Sequence, residues 1–218
     1  MKPILPLQLV AYEHLKDMIL NDTFDYGVVY SETKLSKEIG VSRTPLRDAI
    51  QRLVQEKYID IIPSKGFQLH QMDEKDIIET YQFRSALEGF CTVQIAKDYQ
   101  TDKAACLFSD LSELLLRQEK IHTTTGSIEE FTLYDNQFNI KIIDYLDNNV
   151  FREAFAIQIH MIKRLAMQSL SHEGRMQETL SEHYAMFNAM KNGEIENIYN
   201  VTLQHMDKPQ NMNLQDIL

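Results

Sequence analysis

The sequence is poor in residues that interrupt regular structure and has no segment typical of export or membrane insertion. Its 218 residues include only 7 glycines and 5 prolines, which favours long regular elements. No apolar run approaches the roughly 18 residues of a membrane span, and Met1–Pro6 lacks the apolar core of a secretory signal. The two cysteines, Cys91 and Cys106, lie inside helical patterns without metal-ligand spacing. We therefore expect a cytoplasmic protein with no membrane partner, whose two cysteines are reduced core residues.

Sequence motifs of catalysis are also missing. The chain has no separate nucleophile–base pair, no glycine-rich phosphate loop and no His-Glu-x-x-His pattern. We therefore expect a protein that is not an enzyme.

The chain also lacks an overall positive charge, since its formal net charge is −10. Residues 1–72 are neutral, with nine basic and nine acidic side chains, so the whole excess lies in residues 73–218. Within residues 33–66 there are seven basic and four acidic side chains. Salt screens charges beyond ~8–10 Å, so the local charge decides whether a surface can contact phosphates. An acidic distal domain is therefore compatible with DNA binding.

Residues 31–54 form the most informative stretch. Apolar residues recur at helical spacing in its second half, on one stripe: Leu46, Ala49, Ile50, Leu53 and Val54. Residues 31–39 hold a shorter helical pattern, and Gly40 stands where a helix can end in a left-handed conformation. Two short helices around a glycine turn, with an arginine-rich start to the second, are typical of a DNA-binding helix-turn-helix. The pattern also fits a solvated helical hairpin with two exposed arginines.

Flanking segments complete a small domain. Residues 7–21 predict a first helix whose buried face includes Leu7, Ala11 and Leu15. Two short β-type runs at residues 58–62 and 67–70 flank a turn formed by Pro63, Ser64, Lys65 and Gly66. Three helices followed by a hairpin predict a winged helix-turn-helix, although the hairpin could also be a plain surface turn.

The rest of the chain is expected to be all helical. Residues 71–75 indicate a domain boundary, and six helical patterns follow between Asp73 and Asp207, with Pro209 beyond the last. We predict a mostly α protein with two domains. Residues 1–72 would be the DNA-binding domain, and residues 73–218 an antiparallel helical bundle that binds an effector and dimerises.

Specific motifs in both domains allow a comparison with a known family. The main motif of the first domain is the segment Ile39-Gly40-Val41-Ser42-Arg43-Thr44-Pro45-Leu46-Arg47-Asp48-Ala49-Ile50. It is preceded by Glu32 and Leu35 and followed, at the turn of the hairpin, by Lys65-Gly66-Phe67. The second contains three shorter motifs, which are Arg84-Ser85-Ala86-Leu87-Glu88, Asp135-Asn136-Gln137-Phe138-Asn139, and Glu182-His183 with His205. These motifs resemble the GntR family of bacterial transcription regulators, in the FadR-type branch with an all-helical FCD domain.

The resemblance implies a ligand-responsive, sequence-specific DNA-binding regulator, which we expect to be a repressor. Arg43 and Arg47 would contact guanines or phosphates, and the DNA backbone would be held by Ser42, Thr44, Lys65 and Gly66. Family members are homodimers, so the DNA partner would be a double-stranded, pseudo-palindromic operator.

The resemblance further implies a divalent metal bound by one Asp and three His in the bundle. Asp135, His183 and His205 match these ligands, but Asn139 replaces the first His and is a doubtful ligand. The three remaining ligands could still hold one Zn, Ni or Mn per chain. The alternative is that both histidines are core residues of a metal-free site for an acyl or organic acid ligand.

The effector is expected to be a small acidic metabolite in a cavity of roughly several hundred Å³. Arg84 could bind its carboxylate, or could instead form a helix ion pair with Glu88 four residues later. Two other functions stay open at this point. They are a metalloenzyme with a vestigial helix-turn-helix and a constitutive DNA-binding protein without a ligand.

Overall fold

The computed structural model describes residues 6–21 and 23–217, and within these ranges it contains nine α-helices and one two-stranded sheet. In chain order they are α1 (Leu7–Leu20), α2 (Glu32–Glu38), α3 (Arg43–Gln55), β1 (Ile59–Ile62), β2 (Gly66–Leu69), α4 (Glu74–Lys97), α5 (Asp102–Thr123), α6 (Ile128–Asp144), α7 (Asn149–Leu170), α8 (Arg175–Lys191) and α9 (Ile195–Asp216). Contacts divide the chain into two compact units that meet between Met72 and Asp73. The predicted fold class, a winged helix-turn-helix followed by a helical bundle, is confirmed. Among the described helices, none combines the length and apolar character that crossing a membrane requires.

The first unit is built around the apolar stripe of α3. Leu46, Ala49, Ile50 and Leu53 are all buried, as the spacing predicts. Helix α1 packs against this stripe through Ala11, Tyr12 and Leu15. The expectation for Leu7 was wrong, because its side chain is 63% exposed. The helix begins at this residue, and its buried face starts one turn later.

The turn and the wing follow the predicted local chemistry. Gly40 adopts a left-handed φ of +70° between α2 and α3. Strands β1 and β2 pair antiparallel, with Ile62 opposite Gly66, and Phe67 also pairs with Tyr30 in the preceding loop.

In the second unit, polar side chains fix the starts of several helices. Asp73 forms a capping box with Asp76, Thr101 accepts a hydrogen bond from the backbone N–H of Ala104, and Ser127 accepts one from Glu130. The six helices surround one apolar core. This bundle places polar residues of α5, α6, α8 and α9 together in its interior.

Helix α9 is longer than the sequence predicts. Pro209 was expected to lie beyond the helix, yet it is buried inside it, and the helix continues to Asp216. The side-chain amide of Asn213 donates to the Tyr81 hydroxyl at 3.0 Å and to the Leu165 carbonyl at 3.1 Å. These buried contacts, with the packing around them, offset the cost of about 3 kcal/mol for an interior proline.

The expectation for the cysteines is half right. Cys91 is fully buried in α4, whereas Cys106 in α5 is exposed. Helix α5 turns Ala104, Leu107 and Leu111 toward the core, and Cys106 lies outside that buried face.

Candidate functional site

The start of α3 presents a polar, outward-facing surface. Ser42 occupies the N-cap position, but its side chain makes no capping hydrogen bond. The side chains of Ser42, Arg43, Thr44 and Arg47 are all exposed. Burying the apolar stripe of α3 therefore leaves these donors turned away from the core.

A groove brings part of this surface next to the wing. It has a volume of about 290 Å³ and is lined by Ser31, Glu32, Thr33, Arg47, Ile61, Ile62, Ser64, Lys65 and Gly66. In it, Arg47 Nε lies 3.3 Å from Glu32 Oε2, and the Arg47 side chain is 74% exposed. Such surface ion pairs contribute only ~0–1 kcal/mol, so Arg47 remains available to another partner. Three of the predicted DNA-contact residues thus share one groove.

Gly66 allows the wing to approach the loop before α2. Its φ is +139°, and a Cβ at this position would lie 1.9 Å from the Tyr30 carbonyl oxygen. Next to it, the Tyr30 amide donates to the Phe67 carbonyl at 2.7 Å, and the Phe67 amide donates to the Tyr30 carbonyl at 3.0 Å. Gly66 thus lies directly against the backbone of Tyr30, where a larger residue would not fit.

In the second unit, the predicted metal ligands lie together in the bundle interior. Asp135 and Asn139 come from α6, His183 from α8 and His205 from α9, and each is at most 4% exposed. His183 Nε2 lies 3.3 Å from Asp135 Oδ1, and the two imidazole rings are 4.8 Å apart between centroids. The Phe138 ring stacks on the His183 ring at 4.5 Å.

Polar neighbours orient both imidazoles. His183 Nδ1 lies 2.9 Å from Gln118 Oε1, and His205 Nδ1 lies 2.8 Å from Glu182 Oε2. Burial acts to raise the pKa of Glu182, but hydrogen bonds from His205 and Arg175 lower it, so this carboxylate is ionised and accepts from Nδ1. With both Nδ1 atoms donating, each Nε2 is left as the metal-binding or proton-accepting atom.

Several polar atoms of the cluster have no hydrogen-bond partner among the described residues. They are His183 Nε2 and both side-chain amide atoms of Asn139. Burial lowers the pKa of His183 well below its ordinary value and raises that of Asp135. In the orientation that Gln118 adopts, the unprotonated Nε2 of His183 faces a carboxyl oxygen of Asp135. Two acceptors at 3.3 Å call for a proton or a cation between them.

The donor chemistry therefore fits a divalent ion, but the spacing does not complete a site. Within residues 6–21 and 23–217, no three His, Cys, Asp or Glu side chains stand close enough together to hold a metal. At the α6 position where the resemblance predicts a His, Asn139 offers only an amide beside Asp135.

Two buried arginines adjoin the cluster. Arg84 donates to Glu88 from Nε at 2.6 Å and from Nη2 at 3.2 Å, so the predicted ion pair between these two residues of α4 is present. Arg175 donates to both carboxylate oxygens of Glu182 at 2.6 and 2.7 Å, and its Nε has no partner among the described residues.

A small cavity lies between the two arginines. It is lined by Tyr81, Arg84, Asp135, Ala166, Ser169, Leu170, Arg175, Thr179, His205 and Pro209, and its volume is about 20 Å³. This volume fits about one water molecule. The expected cavity of several hundred Å³ is therefore absent from this site as the structure has it, because side chains fill the interior.

Sequence reasoning missed Gln118 and Arg175 of this site, and it named Glu182 in a family motif without giving it a role. Arg175 and Glu182 are seven residues apart on α8, two helical turns on one face, so their spacing carried a usable signal. Gln118 carried none, since it meets His183 from another helix, 65 residues away in the chain.

A winged helix-turn-helix with an exposed arginine surface, followed by a helical bundle with a polar interior, defines a transcription regulator with an effector domain. Comparison with family models agrees. Residues 7–69 match the model of bacterial regulatory proteins of the gntR family, and residues 79–208 match the FCD domain. The chain belongs to the GntR family of transcription regulators, in the branch with an FCD domain, and its relatives are regulators and not enzymes.

Individual relatives and structures support the same assignment. The chain is 27% identical over 186 residues to the uncharacterized HTH-type regulator YdhC of Bacillus subtilis, covering 85% of this chain and 81% of YdhC. It is 32% identical over 141 residues to the gluconate operon repressor of the same organism, covering 64% of this chain and 55% of the repressor. The structure of E. coli McbR/YncC has a TM-score of 0.68 at 19% identity and covers 99% of this chain and 100% of McbR/YncC, which shows the shared fold.

An isolated FCD domain is also similar in fold. The structure described as the metal-free FCD domain of TM0439 has a TM-score of 0.56 at 18% identity and covers 67% of this chain and 97% of that domain. FCD domains can bind metals.

Proposed function

We propose that the first unit reads an operator in double-stranded DNA by placing the start of α3 in the major groove. The observation that carries this proposal is the groove shared by Arg47, Lys65 and Gly66, beside the exposed side chains of Ser42, Arg43 and Thr44. An arginine can donate two hydrogen bonds to the O6 and N7 atoms of a guanine, which makes Arg43 and Arg47 the base readers. Lys65 on the wing reaches a phosphate, and the hydroxyls of Ser42 and Thr44 hold the backbone.

The proposed regulator acts as a homodimer in the cytoplasm, where its operator lies. Two copies related by a two-fold axis read the two halves of a pseudo-palindrome. By analogy with the gluconate operon repressor to which it is similar, we propose that it represses.

The test is operator selection from a random DNA library followed by affinity measurement on Arg47→Ala. We expect this change to weaken binding by about 1–3 kcal/mol and to relax the choice of base at one position of each half-site. The matched control is Arg117→Ala, which removes an exposed arginine from α5 in the other unit. Equal affinities for the Arg47→Ala variant and the control would refute the role of Arg47.

We further propose that the helical unit senses a small acidic metabolite, and that Asp135, His183 and His205 would hold a divalent ion once they move closer together than the structure places them. Asn139 would be the weakest ligand, through its amide oxygen. The support is chemical: both imidazoles are oriented through Nδ1, and the Nε2 of His183 and the amide of Asn139 are buried without partners. Such an ion would act as a Lewis acid toward the effector carboxylate.

The buried guanidiniums favour an acidic effector with or without the ion. Arg84 and Arg175 both line the small cavity, and each already holds a carboxylate of the protein itself. An effector carboxylate could take the unpartnered Nε of Arg175, or replace Glu88 at Arg84. A metal-free organic acid site is the second candidate, and the asparagine at position 139 is the observation that favours it.

A further inference from the structure

The outer face of α7 carries exposed apolar residues that belong neither to the proposed DNA-binding surface nor to the proposed effector site. Helix α7 turns Phe155, Ile162, Leu165 and Ala166 toward the core. On the opposite side it carries three large, exposed apolar side chains, namely Val150 at 72%, Ile157 at 43% and Met167 at 40% exposure. Exposed apolar residues on one face of a helix indicate a surface that another partner covers.

The outward residues follow a heptad. Val150, Ile157 and Arg164 are spaced by seven residues, and Glu153, His160 and Met167 form a second series with the same spacing. The two series are offset by three residues, which is the a and d arrangement of a helix that pairs along a seam. We call these six residues the α7 stripe. Its members are exposed or half-buried.

The α7 stripe is complementary to itself. In an antiparallel pair, the a residues of one helix face the d residues of the other. A two-fold axis between Gln158 and Ile159 then places Val150 opposite Met167. The same axis places Ile157 opposite His160, and Glu153 opposite Arg164. The pairing of Val150 with Met167 is thus apolar and that of Glu153 with Arg164 joins opposite charges, and each occurs twice in the dimer.

The flanks of the stripe allow close approach. Ala156 is small and exposed, and it borders an apolar groove of about 270 Å³ between α6 and α7, lined also by Ile143, Phe155 and Ile159. At one end, the ring of Phe90 from α4 packs edge-on against Phe151 at 6.0 Å and is itself 49% exposed. Phe90 therefore adds an exposed apolar side chain near the first turn of α7.

We propose that α7 is the interface between two copies of this chain, which pair antiparallel along the α7 stripe. This inference rests on the homodimer of the proposed function and identifies the surface through which the two copies bind. The partner is a second copy of this chain because a two-fold axis brings the stripe's charged residues opposite residues of the other sign and its apolar ends opposite each other. A contact between two identical surfaces requires such a match.

The first test reverses charges and measures mass in solution by sedimentation over a range of concentrations. Glu153→Arg or Arg164→Glu alone would place like charges opposite each other, and we expect the dimer Kd to rise roughly tenfold or more. The double variant Glu153→Arg with Arg164→Glu restores an opposite pair and should return the Kd to near the wild-type value. Glu196→Arg, an exposed reversal on α9, is the matched control and should change nothing.

The second test fixes the register by a disulfide. In a Cys106→Ser background, Val150→Cys with Met167→Cys should give a covalent dimer under mild oxidation. Within one chain these positions are 17 residues apart on a helix, about 26 Å at 1.5 Å per residue, so they cannot bond to each other. Each cysteine alone should stay uncrosslinked, because in an antiparallel pair each position lies far from its own image.

The outcomes separate the two proposals. A dimer that ignores the charge reversals and forms no disulfide overturns the α7 interface but leaves the homodimer intact. A wild-type chain that stays monomeric at tens of micromolar overturns both. Rescue by the double reversal together with a disulfide at 150 and 167 supports the α7 interface, since a merely structural role of Glu153 or Arg164 would make the double variant worse.

Discussion

Replacing Gly66 with alanine tests whether the wing is held by its contact with the Tyr30 loop. The substitution adds one methyl group, and its effect can be worked out from two features of the structure. The backbone φ of +139° is a region that residues with a side chain rarely adopt, and the added Cβ would lie 1.9 Å from the Tyr30 carbonyl oxygen.

The two features act together. Strained backbone of this kind costs about 1–3 kcal/mol. The clash is with backbone, which cannot rotate away, so the wing must move and weaken the two hydrogen bonds between Tyr30 and Phe67, each of which contributes about 1 kcal/mol. We therefore expect Gly66→Ala to destabilise the first unit by about 3–5 kcal/mol. Gly40→Ala is the matched control, because Gly40 also has a positive φ, +70°, but nothing lies within 4 Å of the added Cβ. There we expect about 1 kcal/mol.

The assay is urea unfolding, combined with hydrogen exchange measured by mass spectrometry, which reports on the first unit separately. The amides of Tyr30 and Phe67 should lose protection in Gly66→Ala and keep it in Gly40→Ala. Operator affinity should fall with Gly66→Ala as well, because Lys65 moves with the wing. If the two variants lost the same stability, the close approach would carry no energetic weight and the reasoning would be refuted.

Two further predictions concern the helical unit. Elemental analysis of protein purified without a His-tag or chelator should find about one Zn, Ni or Mn per chain, and His183→Ala should lose it while keeping its helical circular dichroism. Stoichiometric metal in that variant would exclude His183 as a ligand, and no metal after incubation with excess ions would leave Arg84 and Arg175 as the effector anchors. Burial raises the pKa of the Cys91 thiol to about 12, so a thiol reagent at pH 7 should label only Cys106 in the native chain and both cysteines in urea. Labelling of two thiols in the native state would contradict the packing of α4.

Features set by neighbouring residues could be read from the sequence. The stripe from Leu46 to Leu53 is buried because helical periodicity alone fixes which side of α3 is apolar. Asp73 and Ser127 begin their helices because capping needs only the next three residues. The exposure of Ser42, Arg43, Thr44 and Arg47, which are the predicted DNA contacts of α3, followed from these local rules.

Features set by distant residues could not be read in the same way. Helix α9 continues past Pro209 into buried contacts such as the hydrogen bond from Asn213 to Tyr81, which is 132 residues away in the chain. The orientation of His183 depends on Gln118 in another helix. The family motif indicated which residues meet in the bundle. Neither that motif nor any local pattern indicates that Glu88 binds Arg84 and Glu182 binds Arg175, or that the cavity between the two arginines is small.

That small cavity bears directly on regulation. A space of about 20 Å³ admits a water molecule but no metabolite, so an effector that binds at the proposed site must bind an arrangement of α4, α6, α8 and α9 that is wider than this one. The effector then shifts the equilibrium toward the wider arrangement, by as much as its affinity for that arrangement exceeds its affinity for this one. The same difference in binding free energy is the largest change in operator affinity that the effector can cause. Glu182 is the residue best placed to link the two arrangements, because its one carboxylate holds both Arg175 and His205. An effector carboxylate that took Arg175 from Glu182 would also free the Nδ1 hydrogen bond that orients His205, so anion binding and any metal at His205 would be coupled through a single side chain.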